Sequence, residues 1–111
     1  MKGISMHMNI SKAGGKLRAR LGETLDISSV LEGKEQLSKA LQKGSEIDFE
    51  LSGLAEIDTA GVQLLLSTRR QAESDGIRCR FLGPSPEVLR AFTLLGRADF
   101  FDESVHSTRK A

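Results

Sequence analysis

Apolar residues first recur every second position. Ile4, Met6, Met8 and Ile10 alternate with Ser5, His7 and Asn9, the period of a strand with one buried face. Ala13-Gly14-Gly15 is a turn signal, because glycine tolerates positive φ. Leu17, Ala19 and Leu21 then alternate with Lys16, Arg18 and Arg20, so the two runs read as a β-hairpin with a basic outward face. Gly22-Glu23-Thr24-Leu25-Asp26 reads as a loop. After it the apolar spacing lengthens to three and four residues. Ile27, Val30, Leu31, Leu37, Ala40 and Leu41 predict a first helix, capped by Asp26 or Ser28 and stopped near Gly44. Gly33 interrupts that pattern at a cost of roughly 1 kcal/mol relative to alanine.

Ile47, Phe49 and Leu51 alternate with Glu46, Asp48 and Glu50, which predicts a third strand that Ser52-Gly53 loosens. Val62, Leu65, Leu66, Arg69 and Ala72 follow at helical spacing up to Gly76, with Arg69 and Arg70 read as a solvated face. Ile77, Cys79 and Phe81 alternate with Arg78 and Arg80 as a fourth strand. Gly83-Pro84-Ser85-Pro86 then opens a third helix, lined by Val88, Leu89, Phe92 and Leu95 and closed by Gly96. Ala98, Phe100 and Phe101 form a last apolar knot, and the tail beyond Asp102 is polar. The order β-β-α-β-α-β-α predicts an α/β fold, a four-stranded mixed β-sheet with three to four helices packed on one face. One domain spanning 1–111 is expected, with a core over about 4–103 and a tail over 104–111.

Composition narrows the function more than the fold. An apolar share of 39% and a charged share of 28% describe an ordinary soluble protein. A net charge of +1, with cations scattered among anions, gives no footprint for nucleic acid. The 5 aromatic residues are all Phe, which leaves little for base stacking. Nothing approaches the ~18 consecutive apolar residues of a membrane span, and the amino terminus lacks the apolar stretch of a signal peptide. A cytoplasmic location and no membrane insertion follow as expectations. The single Cys79 sits in an alternating run and reads as a small core residue. His7 and His106 lie at opposite ends with no Cys/His ligand spacing between them, so no metal is expected, and no cofactor is expected either. There is no phosphate-cradling loop and no Gly-x-Ser-x-Gly elbow, and the chain is not expected to be an enzyme.

The chemistry gathers in Glu56-Ile57-Asp58-Thr59-Ala60-Gly61-Val62-Gln63-Leu64-Leu65-Leu66, where a strand gives way to an apolar helix. The first backbone N–H groups of a helix have no intrahelical partner. Asp58 or Thr59 can therefore serve as an N-cap. Thr59 can alternatively accept a phosphate, which brings about −1.5 to −2 charges. A helix amino terminus tolerates that anion, although Glu56 and Asp58 crowd it with like charge.

Asp58-Thr59-Ala60-Gly61, with the apolar helix after it, resembles the signature of STAS domains, the family of anti-sigma factor antagonists. The similarity runs from about residue 17 to residue 101 and includes Gly83-Pro84-Ser85-Pro86-Glu87-Val88 and Leu94-Leu95-Gly96. It implies the STAS fold and a regulatory protein-interaction role. By this resemblance Thr59 is phosphorylated by a partner Ser/Thr kinase that is itself the anti-sigma factor. Asp58, Thr59, Ala60, Gly61 and Gln63 then form the partner surface, with Glu23 and Asp26 of the acidic loop, and Ala60 and Gly61 let the partner approach. Members commonly carry Gly-Glu-Leu-Asp where this chain has Gly22-Glu23-Thr24-Leu25-Asp26, and many have Ser where it has Ala60. The Asp-Thr-Ala-Gly form is also similar to the STAS subunit of phospholipid ABC transporters, which docks on its ATPase, and to chemotaxis-associated STAS proteins. The first strand is a candidate sheet edge, so a monomer or a weak dimer is expected.

Overall fold

In the computed structural model, residues 7–101 are described. β1 (His7–Ala13) and β2 (Lys16–Leu25) form the antiparallel hairpin, with Ala13 opposite Lys16. Gly14 and Gly15 take φ of 61° and 82°, the paired positive values that a two-residue hairpin turn requires. β3 (Glu46–Ile57) lies parallel to β2, and β4 (Arg78–Leu82) parallel to β3, in the sheet order β1-β2-β3-β4. The helices are α1 (Val30–Leu41), α2 (Thr59–Ser74) and α3 (Pro86–Leu94). Each follows one of the three parallel strands. All three helices therefore begin at the same end of the sheet, where β2, β3 and β4 finish.

One core joins the layers. Leu17, Ala19 and Leu21 of β2, Ile47, Phe49 and Leu51 of β3, and Phe81 of β4 pack with Leu37, Val62, Leu65, Val88 and Phe92 of the helices. Phe100 closes it, with its ring centroid 4.7 Å from Phe92 and 5.1 Å from Phe81. The alternate positions of the strands carry charge in columns: Lys16, Arg18 and Arg20 on β2, Glu46, Asp48 and Glu50 on β3, and Arg78 and Arg80 on β4. Opposite charges on neighbouring strands stabilise a sheet face. Asp48 sits at the centre of these columns and is only 1% exposed. Arg80 grips it with two hydrogen bonds, Nε to Oδ1 at 2.9 Å and Nη2 to Oδ2 at 2.8 Å, and Lys16 Nζ lies 3.4 Å away. Burial alone would raise the Asp48 pKa; the hydrogen bond and charge of Arg80, with help from Lys16, outweigh it and hold the carboxyl below its ordinary value.

Several expectations need correcting, each for a tertiary reason. The segment from Gly22 to Leu25 is strand rather than loop, because β3 pairs with it through Leu25 opposite Ile57, with register shifts on the way. The same pairing carries β3 straight through Ser52-Gly53. α1 begins at Val30 with Ser29 in the cap position, so neither Asp26 nor Ser28 caps it. Ile27 and Leu31 are 72% and 81% exposed and do not line its inner face. Leu89 and Leu95 of the third helical segment are 44% and 41% exposed, while Val88 and Phe92 are buried. Arg69 is buried rather than solvated: its guanidinium donates to the Phe100 carbonyl and lies 3.6 Å from the Phe100 ring centroid. An arginine thus occupies one position of the apolar stripe, with its charge met by a carbonyl and a π-face. Ile4, Met6, His106 and the tail lie outside the described residues.

The Asp48 cluster generates a prediction about pH. A carboxyl whose folded pKa is depressed adds stability above the unfolded value near 3.9, and that contribution is lost as pH falls through the folded pKa. Arg80→Met should lower unfolding stability by about 2 kcal/mol at neutral pH, since it leaves a buried carboxylate with Lys16 as its remaining cation. The gap from the parent chain should shrink as the pH falls below about 4. Urea unfolding at a series of pH values measures both.

Candidate functional site

The ends of β2 and β3 meet at the amino end of α2. Asp58 leaves β3 with extended backbone (φ −120°, ψ −171°), and its side chain works in two directions. Oδ1 accepts the Gly61 amide at 3.1 Å, which caps α2. Oδ2 accepts the Ile27 amide at 3.0 Å, which ties the turn after β2 to the start of α2. Its own amide donates to the Leu25 carbonyl at 3.4 Å. Of the two candidate caps, Asp58 takes the role.

Gly61 is buried in the first turn of α2. A β-carbon there would collide with the Leu25 carbonyl oxygen and lie 2.7 Å from Cγ1 of Ile57. Its small size therefore lets β2 approach α2 within the fold, a demand separate from any made by a partner. Ala60 is half-buried beside it.

Thr59 is the first residue of α2 and is exposed. Asp58 has already satisfied the Gly61 amide, so capping does not require the Thr59 hydroxyl. Helix geometry leaves the Thr59 and Ala60 amides without intrahelical partners at the same place. Gln63 is exposed one turn further on, four residues from Thr59 and so on the same side of the helix.

The 26–29 turn is built from its own side chains. Asp26 Oδ1 accepts the Ser28 amide at 3.0 Å and the Ser28 hydroxyl at 2.6 Å. The Ser28 hydroxyl is the main reason the Asp26 carboxyl sits below its ordinary pKa. Ser29, 2% exposed, accepts the Asp26 amide at 3.1 Å and returns its own amide to the Asp26 carbonyl at 2.9 Å. Asp26 therefore shapes the turn beside Thr59. Glu23 is exposed on β2 and lines a shallow polar cup with His7, Asn9, Arg20 and Gly53.

On the other side of Thr59, a groove of about 380 Å³ runs between the end of β3 and α3, with Ala55, Ile57, Ala91 and Leu94 among its walls. Ser85 fixes its α3 wall: its hydroxyl accepts the Val88 amide at 3.3 Å and donates to the Leu54 carbonyl at 2.6 Å. Cys79 is remote from this chemistry; burial pushes its thiol up to about 12, which keeps it protonated. The sequence reading missed Ile27 and Leu31 as surface residues. Their spacing was that of a helix face, and spacing alone does not distinguish a buried face from an exposed one.

Two substitutions separate the supports of this site. Asp58→Ala removes a cap and a cross-link together and should cost about 2 kcal/mol. Gly61→Ala should cost about 3 kcal/mol through overpacking against Leu25. Thermal unfolding of the two variants checks both values.

The family model for the STAS domain matches residues 7–111. No curated protein sequence matches the chain. Among solved structures, the anti-sigma factor antagonist SpoIIAA in its unphosphorylated form aligns with a TM-score of 0.67 at 23% identity, over 95% of this chain and 98% of that one. An anti-sigma factor antagonist from Mycobacterium paratuberculosis gives 0.74 at 13% identity, over 94% of each chain. The Bacillus cell fate determinant SpoIIAA in the phosphorylated form gives 0.62 at 22% identity, over 92% of this chain and 99% of that one. At these identities the structural likeness is one of fold, a four-stranded mixed sheet with its helices. With the family model matching nearly the whole sequence, the chain belongs to the STAS domain family.

Proposed function

We propose that this protein is a regulatory interaction domain of the anti-sigma factor antagonist kind, which binds a Ser/Thr kinase through the amino end of α2 and is switched by phosphorylation of Thr59. The observation that carries the reading is the division of labour at the junction: Asp58 caps the helix, and the neighbouring hydroxyl stays exposed. In the transfer, Thr59 Oγ1 attacks the γ-phosphorus of ATP held by the kinase. The bond to the β-phosphate oxygen breaks, ADP leaves, and the hydroxyl proton passes to a base of the kinase. The product adds about −1.5 to −2 charges next to Asp58 and Glu56. Helix amides at that position accommodate a phosphate, so the domain keeps its fold while its surface changes. SpoIIAA, which shares the fold, has been solved in both unphosphorylated and phosphorylated forms, and this supports a switch of that kind here. Repulsion between the new phosphate and the nucleotide of the kinase then favours release.

Among the described residues, no helix is long and apolar enough to cross a membrane.

Capture of partners from the native cell, with mass spectrometry of the partners and of Thr59, tests the proposal. The expected result is a Ser/Thr kinase that phosphorylates the parent chain but not Thr59→Val, and that binds Thr59→Glu at least about tenfold more weakly, equivalent to ~1.4 kcal/mol. Unchanged binding of Thr59→Glu overturns the switch. Recovery of a transporter ATPase, whatever the state of Thr59, replaces this reading with the transporter one.

A further inference from the structure

Two large apolar side chains are exposed where the turn after β2 enters α1, and the first of them lies in the turn tied to Asp58. Ile27 is 72% exposed and Leu31 is 81% exposed. A single exposed leucine is ordinary on a protein surface. This pair differs because the structure holds it in place. The Ile27 amide is fixed by Asp58, the residue that caps the helix carrying Thr59. Asp26, Ser28 and Ser29 lock the rest of the turn. The Ser29 amide donates to the Asp26 carbonyl and the Gly33 amide to the Ser29 carbonyl, so the chain passes from the turn directly into α1. Leu31 follows four residues after Ile27, in the first turn of α1, so one exposed side chain lies on each side of the junction between turn and helix.

The polar groups around the pair have one predominant sign. Asp26 and Asp58 are half-buried, Glu32 and Glu56 are exposed, and Lys34 is the nearby cation on α1. A second copy of the chain would bring the same carboxylates against these, and like charges facing each other oppose association. A partner with an apolar depression and a basic rim satisfies both features.

We propose that Ile27 and Leu31 are the apolar anchor that seats the domain in such a depression on the kinase, with Asp58 as the residue that positions the anchor relative to Thr59. This inference rests on the kinase reading above. It assigns the strength of docking to two residues that take no part in phosphoryl transfer, and it gives Asp58 a second task besides capping.

Titration calorimetry of the full chain against the purified kinase that phosphorylates Thr59, loaded with ADP so that no transfer occurs, tests it. The double variant Ile27→Ser, Leu31→Ser should bind at least about 30-fold more weakly, the loss expected of a hot spot. Its unfolding temperature should stay at the parent value, since both side chains are exposed. Ile27→Val should retain most of the affinity. Leu94→Ser, which removes a side chain 78% exposed on α3, should leave binding unchanged. In an Asp58→Asn background, Ile27→Ser should cost less than it does in the parent chain, a coupling that a structural role confined to capping would not produce. If the double variant binds as the parent does while Thr59 is still phosphorylated, the anchor is overturned and the kinase reading stands. If no kinase modifies Thr59, both fall. A concentration-dependent dimer that the double variant dissolves would assign the patch to a second copy and overturn the kinase-facing anchor.

Discussion

One carboxylate organises the end of the molecule where α2 begins. The two oxygens of Asp58 reach amides 34 residues apart in sequence, those of Ile27 and Gly61, and so bind the exit of one strand to the start of the helix that follows another. The link is possible because β2 and β3 run parallel and finish side by side, with Leu25 opposite Ile57. It also needs Gly61, where any β-carbon would run into the Leu25 carbonyl. Parallel pairing, a missing side chain and a bridging carboxylate are three parts of one constraint. They bring the 26–29 turn against α2 and leave Thr59 facing outward.

Away from this end, different physics supports the sheet. Its helix-covered face is held by packing, down to the chain of phenylalanine rings from Phe49 through Phe81 and Phe100 to Phe92. Its other face carries alternating columns of charge, in which Asp48 is nearly enclosed by Arg80 and Lys16. Cations on β2 and β4 flank anions on β3, so opposite charges meet across neighbouring strands of the sheet. The acidic character near Thr59 is therefore a local departure on a chain of net charge +1.

Periodicity made the element order, the hairpin, the four strands and most of the core legible in the sequence. Each of these signals depends on a residue's own neighbours in the chain. The failures share one cause, namely dependence on a distant partner. Gly22-Glu23-Thr24-Leu25 looked like a loop because its strand character comes from β3. Arg69 looked solvated because the carbonyl and ring that receive it belong to Phe100, 31 residues later. Ile27 and Leu31 had core-like spacing, and their exposure follows from α1 starting only at Val30, after a turn tethered to Asp58. At the candidate site, the sequence located Asp58 and Thr59 but left the cap open between them. The hydrogen bonds of Asp58 settled that choice.

The separation of Asp58 from Thr59 bears on how such a domain can change over time. Because its neighbour performs the capping, position 59 is nearly free of folding duties. It can gain, lose or exchange its hydroxyl while the scaffold remains the same. A substitution at that position then meets little interference from stability. The same architecture can host a reversible switch in one lineage and a permanent contact in another, and the transition requires no intermediate that fails to fold.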